Sequence, residues 1–173
     1  MSGEIHEEHP FVPPEDAREP IRRLRGRLAA PVTIVTAGDS EDRAGLTISS
    51  LMVAEGAPGM VTFLLGPTAD LYDVVVSSGR LVVHILESHH RALSDVFAAR
   101  RPSPGGPFAG LDLDQTSWGP VISSIPNRAF CSVASLTEAG YSLLVAAMID
   151  EVHIEGLSDP LVYFRGHYRG LSE

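Results

Sequence analysis

The ten residues Ala44–Val53, "AGLTISSLMV", have the make-up of a β-strand but carry hydroxyls where a core strand carries apolar side chains. Alternation sets Leu46, Ile48 and Ser50 on one face and Thr47, Ser49 and Leu51 on the other. Neither face is cleanly apolar. A hydroxyl taken out of water without a hydrogen-bond partner costs free energy. Thr47, Ser49 and Ser50 therefore need partners, either within the sheet or in a ligand.

Working outward, "VTIVTA" (Val32–Ala37) reads as the preceding strand and "GDSEDR" as the turn between the two. Before them, "EPIRRLRGRLA" spaces Ile21, Leu24 and Leu28 as a helix does. After the opening stretch comes a third strand, "MVTFLLG" (Met60–Gly66). "PTADLYDVVVSSG" is then a short helix, with Thr68 as its cap, Leu71, Val74 and Val75 inward and Gly79 at its end. "LVVHIL" (Leu81–Leu86) is a fourth strand, and "SHHRALSDVFAARR" a second such helix, capped by Ser88. A long loop, "RPSPGGPFAGLDLD", separates these from three β-rich segments that close the chain, "RAFCSVASLTEA", "YSLLVAAMIDEVHIE" and "LVYFRGHYRGL". Strands and helices do not alternate as in a doubly wound sheet. At least six strands with short inserted helices predict a closed, mainly β barrel.

Composition narrows the function. With 173 residues, 44% of them hydrophobic, residues 16–173 suit one domain, preceded by a polar, acidic and proline-rich arm over residues 1–15. A net charge of −9 argues against a nucleic-acid surface. All 13 basic residues are arginine, so chemistry that needs a lysine amine is excluded. No run approaches the ~20 apolar residues that span a bilayer, and the arm lacks the pattern of a secretory signal. The single cysteine, Cys131, fits a reducing cytoplasm and reads as a structural thiol. There is no CxxC, HExxH or GxSxG motif, and the adjacent His89 and His90 do not make a metal-ligand pair. "GGPFAG" (Gly105–Gly110) lies in a loop rather than between strand and helix, so it is no dinucleotide fingerprint.

The order and spacing of "PVTIVTA", "AGLTISSLMV", "GPTADLYDVVVSSGRLVVHIL", "LSDVFA", "PFAGLD", "WGPVI", "RAFCSVASL" and "PLVYFRGHYRGL" resemble the flavin reductase-like, FMN-binding split β-barrel family. The resemblance runs from about Ile21 to Leu171. It implies a six-stranded Greek-key split barrel, a homodimer, and one flavin per subunit near the dimer interface. The flavin it implies is FMN, with FAD or a deazaflavin left open. Typical members use NADH or NADPH to reduce it, often for a separate monooxygenase component.

The resemblance also assigns residues. Thr47, Ser49 and Ser50 would face the flavin, Pro67 and Thr68 would lie beside its phosphate, and His84 falls where many relatives have an asparagine near the ligand. Asp70 would repel a phosphate at that turn, so a compensating arginine is required; Arg43, Arg100 and Arg101 are the candidates. The chain departs from its family at "AGYSLLVAAM", where relatives resemble "GDHxIxxGxV". Tyr141 and Ser142 stand in the catalytic position, without the histidine that can donate a proton near neutral pH. Three readings remain: a nicotinamide-dependent flavin oxidoreductase, an enzyme whose tightly held FMN or deazaflavin reduces a small substrate, and a carrier of flavin, deazaflavin or haem without enzymatic activity.

Overall fold

The computed structural model describes residues 20–171, so the arm expected over residues 1–15 lies outside the described residues. Helix α1 (Pro20–Arg25) comes first; Ile21 and Leu24 share a face as their spacing predicts, but both are exposed. It is followed by β1 (Ala30–Pro31), β2 (Thr33–Gly38), β3 (Arg43–Ile48), β4 (Met52–Ala54), β5 (Met60–Leu65) and helix α2 (Asp70–Ser78). Strand β6 (Arg80–Ile85) leads through a 3-10 turn (Ser88–His90) into α3 (Arg91–Phe97). The second half holds β7 (Leu113–Thr116), β8 (Gly119–Ile122), β9 (Arg128–Ala139), β10 (Ser142–His153), β11 (Val162–Phe164) and β12 (His167–Arg169). Among the described residues no helix is long and apolar enough to cross a membrane.

Seven strands form one sheet in the order β3-β2-β6-β9-β10-β5-β4. Its two edges are the two halves of the opening stretch. From Ile48, the end of β3, the chain reaches Met52, the start of β4, across Ser49, Ser50 and Leu51 alone. Four Cα steps cover at most ~15 Å. In a flat sheet of this size the edges would be about 29 Å apart, at ~4.8 Å per strand pair. The sheet must therefore curl until its edges meet. "AGLTISSLMV" is thus not the single strand expected but two strands and the seam between them, and counting it as one wall gives the six-walled split barrel.

The expected alternation holds only as far as Ile48: Leu51, which it sets on the opposite face, packs against the same core, while Met52 is exposed. Ala44, Leu46 and Ile48 point into the barrel with Val61, Phe63, Leu65, Leu81 and Val145. Helix α2 adds Leu71, Val74 and Val75 to the same core and stops where Gly79 turns left-handed (φ 63°), its N–H donating to the Val75 carbonyl. Thr68 does not cap α2: the N-cap is Ala69, with no side-chain bond. Nor does Ser88 cap the second helix. The N-cap of α3 is His90, with no side-chain bond; Glu87 caps the preceding 3-10 turn in a reciprocal bond pair with His90, while the Ser88 hydroxyl is buried without a partner among the described residues.

The opposite face of β3 packs outward. Gly45 meets α3 there, and a Cβ at this position would stand 2.5 Å from Phe97 Cε1 and 3.1 Å from Phe108 Cζ. Phe97 and Phe108 meet edge to face in a second core with Val32, Ile34, Leu86 and Ile122. The β7–β8 hairpin begins where a loop was expected. The closing segment is not a barrel strand: β11 and β12 form a hairpin that pairs with β1 in a separate sheet.

Candidate functional site

The three hydroxyls of the opening stretch have three different environments. Thr47 Oγ1 donates to the Ser94 carbonyl at 2.7 Å and so ties β3 to α3. Ser50 Oγ accepts the Leu64 N–H at 2.9 Å, pinning the seam to β5. Ser49, between them, is exposed and opens onto a cleft of about 80 Å³. The cleft is shared with Thr47, Val32, Ala98, Arg100 and the rings of Tyr163 and Tyr168.

Of the three candidate arginines, the structure brings only Arg100 to this place. Helix α3 ends with Ala99 in the left-handed region (φ 54°), and the Arg100 N–H returns to the Asp95 carbonyl at 2.9 Å. This is the reversal that glycine usually makes, and for alanine it costs roughly 1–2 kcal/mol. Arg100 is thereby turned back toward the seam. Its guanidinium carbon lies 4.9 Å from the Tyr163 ring centre and 5.8 Å from that of Tyr168, and Nη2 donates to the Tyr163 hydroxyl at 2.6 Å. Lost hydration works against its charge, but the Tyr163 hydrogen bond and the neighbouring phenols and Asp95 outweigh it, and its pKa rises further. A permanent cation therefore stands beside the free Ser49 hydroxyl. Arg43, by contrast, lies over Phe108 at 5.1 Å, six residues or about 20 Å along the strand from Ser49. Arg101 is exposed and does not line the cleft.

His84 takes an internal role. It is fully buried; Nδ1 donates to the Ile34 carbonyl and Nε2 accepts the Ile122 N–H, both at 3.1 Å. Burial, opposed by the Ile34 bond and aided by the Arg128 charge, lowers its pKa to about 4. It clips β2, β6 and β8 together in the neutral form, with neither nitrogen left for a ligand.

The remaining expected residues gather at one end of the barrel, past the seam. Pro67 and Thr68 are exposed in the turn after β5, and Leu65 pairs with Leu143, the neighbour of Ser142. Ser142 opens β10 opposite Ala139, and the two-residue turn between them, Gly140 (φ 60°) and Tyr141, leaves the Tyr141 side chain fully exposed. These residues do not line the Arg100 cleft, so the structure does not bring Pro67 and Thr68, expected beside the phosphate, together with the arginine expected to compensate Asp70 there. Between the two groups the barrel exterior is apolar: Met52, Leu64 and Met148 point outward with exposures of 65%, 42% and 37%.

Three side chains were not anticipated: Tyr163 and Tyr168, which line the cleft, and Ser94, which lies behind Tyr168. Ser94 is buried on α3, and its Oγ lies 2.8 Å from the Tyr168 hydroxyl. The signal for the tyrosines was in "YFRGHY". Arg165 (φ 52°) and Gly166 (φ 88°) form a tight hairpin turn, which sets Tyr163 directly across from Tyr168.

The described residues thus form a split β-barrel with one cleft beside its seam, in which a cation and an exposed hydroxyl face the same space. Residues 25–172 match the flavin reductase like domain, and the chain belongs to that family. It is 28% identical over 161 residues to the FMN reductase (NADH) RutF of Variovorax paradoxus, covering 93% of this chain and 89% of that one. It is also 28% identical, over 154 residues, to the reductase component of the 4-hydroxyphenylacetate 3-monooxygenase of Thermus thermophilus, covering 89% and 97%. Among solved structures, the flavin reductase PheA2 superposes with a TM-score of 0.79 at 25% identity, covering 88% of this chain and 97% of that one.

Proposed function

We propose that the protein is an NAD(P)H-dependent flavin reductase that binds FMN as a homodimer and supplies reduced flavin to a monooxygenase. The observation that carries the reading is the Arg100 cleft beside Ser49. Its volume of about 80 Å³ suits a phosphate-bearing tail but falls well short of the ~300 Å³ or more of a pocket that encloses a whole flat ligand. The residues present therefore fit the polar end of a flavin: Arg100 would hold the phosphate, and Ser49 and the seam amides the adjoining hydroxyls.

The ring end needs a second wall. The outward face of Met52, Leu64 and Met148 is an apolar surface continuous with the seam, of the kind that marks an interface. A second copy of the chain covering it would complete the site. A monomer at micromolar concentration by sedimentation would refute that part. Cys131, buried with its thiol pushed up to about 12 by burial and the nearby Asp150, is inert and suits a reducing cytoplasm.

When bound, flavin supplies the hydride acceptor; the chain's own part is to bind, orient and exclude water. The relatives' names favour NADH as donor and a monooxygenase as consumer. A second reading, flavin carriage without reduction, is favoured by the β9–β10 turn, where Tyr141 and Ser142 offer no cation to a nicotinamide. Anaerobic titration of the FMN complex with NADH and NADPH separates the two. Bleaching by either supports the reductase; bound FMN that neither bleaches leaves the carrier.

A further inference from the structure

We infer that Tyr163 and Tyr168 are positioning residues that hold Arg100 as a ready-set fork, so that the C-terminal hairpin makes the site select a flavin ending in a phosphate. The inference rests on the flavin reading above. A surface arginine normally samples many rotamers, and ordering it on binding costs affinity. Here the ordering is done beforehand. Tyr163 accepts a hydrogen bond from Nη2 at 2.6 Å, and its ring and that of Tyr168, tilted 66° to each other with centres 5.5 Å apart, both contact the guanidinium.

The pair is itself anchored to the seam. Tyr168 meets Ser94 Oγ at 2.8 Å, and the Ser94 carbonyl accepts from Thr47 at 2.7 Å, two residues from Ser49. The hairpin, α3 and β3 therefore set the distance from the guanidinium to the Ser49 hydroxyl. The hydrogen-bond partner of Arg100 is a tyrosine hydroxyl rather than a carboxylate, and a guanidinium has five N–H donors of which this bond uses one. The others are free for a phosphate, which suits the planar fork better than any neutral group does.

The test compares FMN with riboflavin, which differs by the phosphate alone, using flavin fluorescence quenching on the wild type and on Arg100→Ala, Tyr163→Phe and their double variant. Arg100→Ala should weaken FMN about tenfold to a hundredfold, the range for a hydrogen bond to a charged group, and riboflavin less than about twofold. Tyr163→Phe keeps the ring and loses only the bond that orients Arg100. It should weaken FMN by roughly a third to a half of that effect on a logarithmic scale, leave riboflavin unchanged, and add nothing in the Arg100→Ala background. Tyr163→Phe weakening both flavins alike, or multiplying with Arg100→Ala, would show a wall residue and overturn the inference. A wild type that binds riboflavin as tightly as FMN would overturn it too, while leaving the flavin reading intact. A wild type that binds neither flavin would overturn that reading and the inference together.

Discussion

Acidification should expose the His84 clip. Protonated, this ring would carry hydrogens on both nitrogens, and Nε2 would face the Ile122 N–H donor to donor at 3.1 Å, with the ring wholly buried. Its pKa falls from an ordinary 6.5 to about 4 in the fold. Above pH ~6.5 the ring is neutral folded or unfolded, so it adds no pH dependence there. Between about 6.5 and 4 only the unfolded chain takes up the proton, so stability is lost as the pH falls through that window, at ~1.36 kcal/mol per unit. The full loss is roughly 3 kcal/mol, a large share of the 5–15 kcal/mol typical of a domain.

Other groups titrate in acid as well. Asp39 and Glu87 are both held below the usual carboxylate range, chiefly by backbone N–H bonds, and their contributions are lost as the pH falls through their lowered values. His84→Leu isolates the histidine. At about pH 7 it leaves the Ile34 carbonyl and the Ile122 N–H unpaired, at ~1–3 kcal/mol each, so it should destabilise by about 2–5 kcal/mol. The variant has no ring to titrate. Urea melts should therefore show the gap between wild type and His84→Leu narrowing by about 2 kcal/mol between pH 7 and pH 4.5. A constant gap across that range would mean that the ring is not held neutral, and the account of the clip would be wrong.

Gly45→Ala should lower stability by about 1–3 kcal/mol through overpacking, since its Cβ would stand 2.5 Å from Phe97 Cε1. Because Phe97 ends the helix that delivers Arg100, FMN affinity should fall with it; an unchanged melting temperature would show that the ring moves aside freely. Ser142→His restores the proton donor that the β9–β10 turn lacks, and should speed anaerobic bleaching by NADH or NADPH by up to on the order of 10²-fold without changing FMN affinity. Equal stopped-flow rates for the two forms would show that this position plays no part in reduction.

Local pattern reached some of this architecture. β9 and β10 were legible as long runs bounded by Gly140, and α2 as an apolar face at helical spacing closed by Gly79. Both are signals contained within a dozen residues. The seam is a weaker signal: the alternation in "AGLTISSLMV" falters at Ser49 and Ser50, but nothing in it says that the chain leaves one sheet edge and joins the other. Closure of the barrel imposes the break, and closure depends on the pairing of seven strands spread over more than a hundred residues.

The hydroxyls show the same limit at the level of single atoms. Their presence in an apolar run was a sound reason to look for partners, but the partners of Thr47 and Ser50 are backbone groups 47 and 14 residues away. Once those two bonds are made, only Ser49 is left for a ligand. The ranking of the arginines depends on a still less visible feature, since an alanine rather than a glycine makes the left-handed turn that returns Arg100 to the seam. Ala99 and the Tyr163–Tyr168 pair lie outside the barrel, on the elements that cover it. The barrel thus brings one free hydroxyl to the cleft, while the helix end and the C-terminal hairpin bring the cation. For that reason, changes in α3 or the hairpin should alter which ligand is held with little effect on the barrel core, whereas changes at Gly45 or Thr47, where the two layers touch, should affect both.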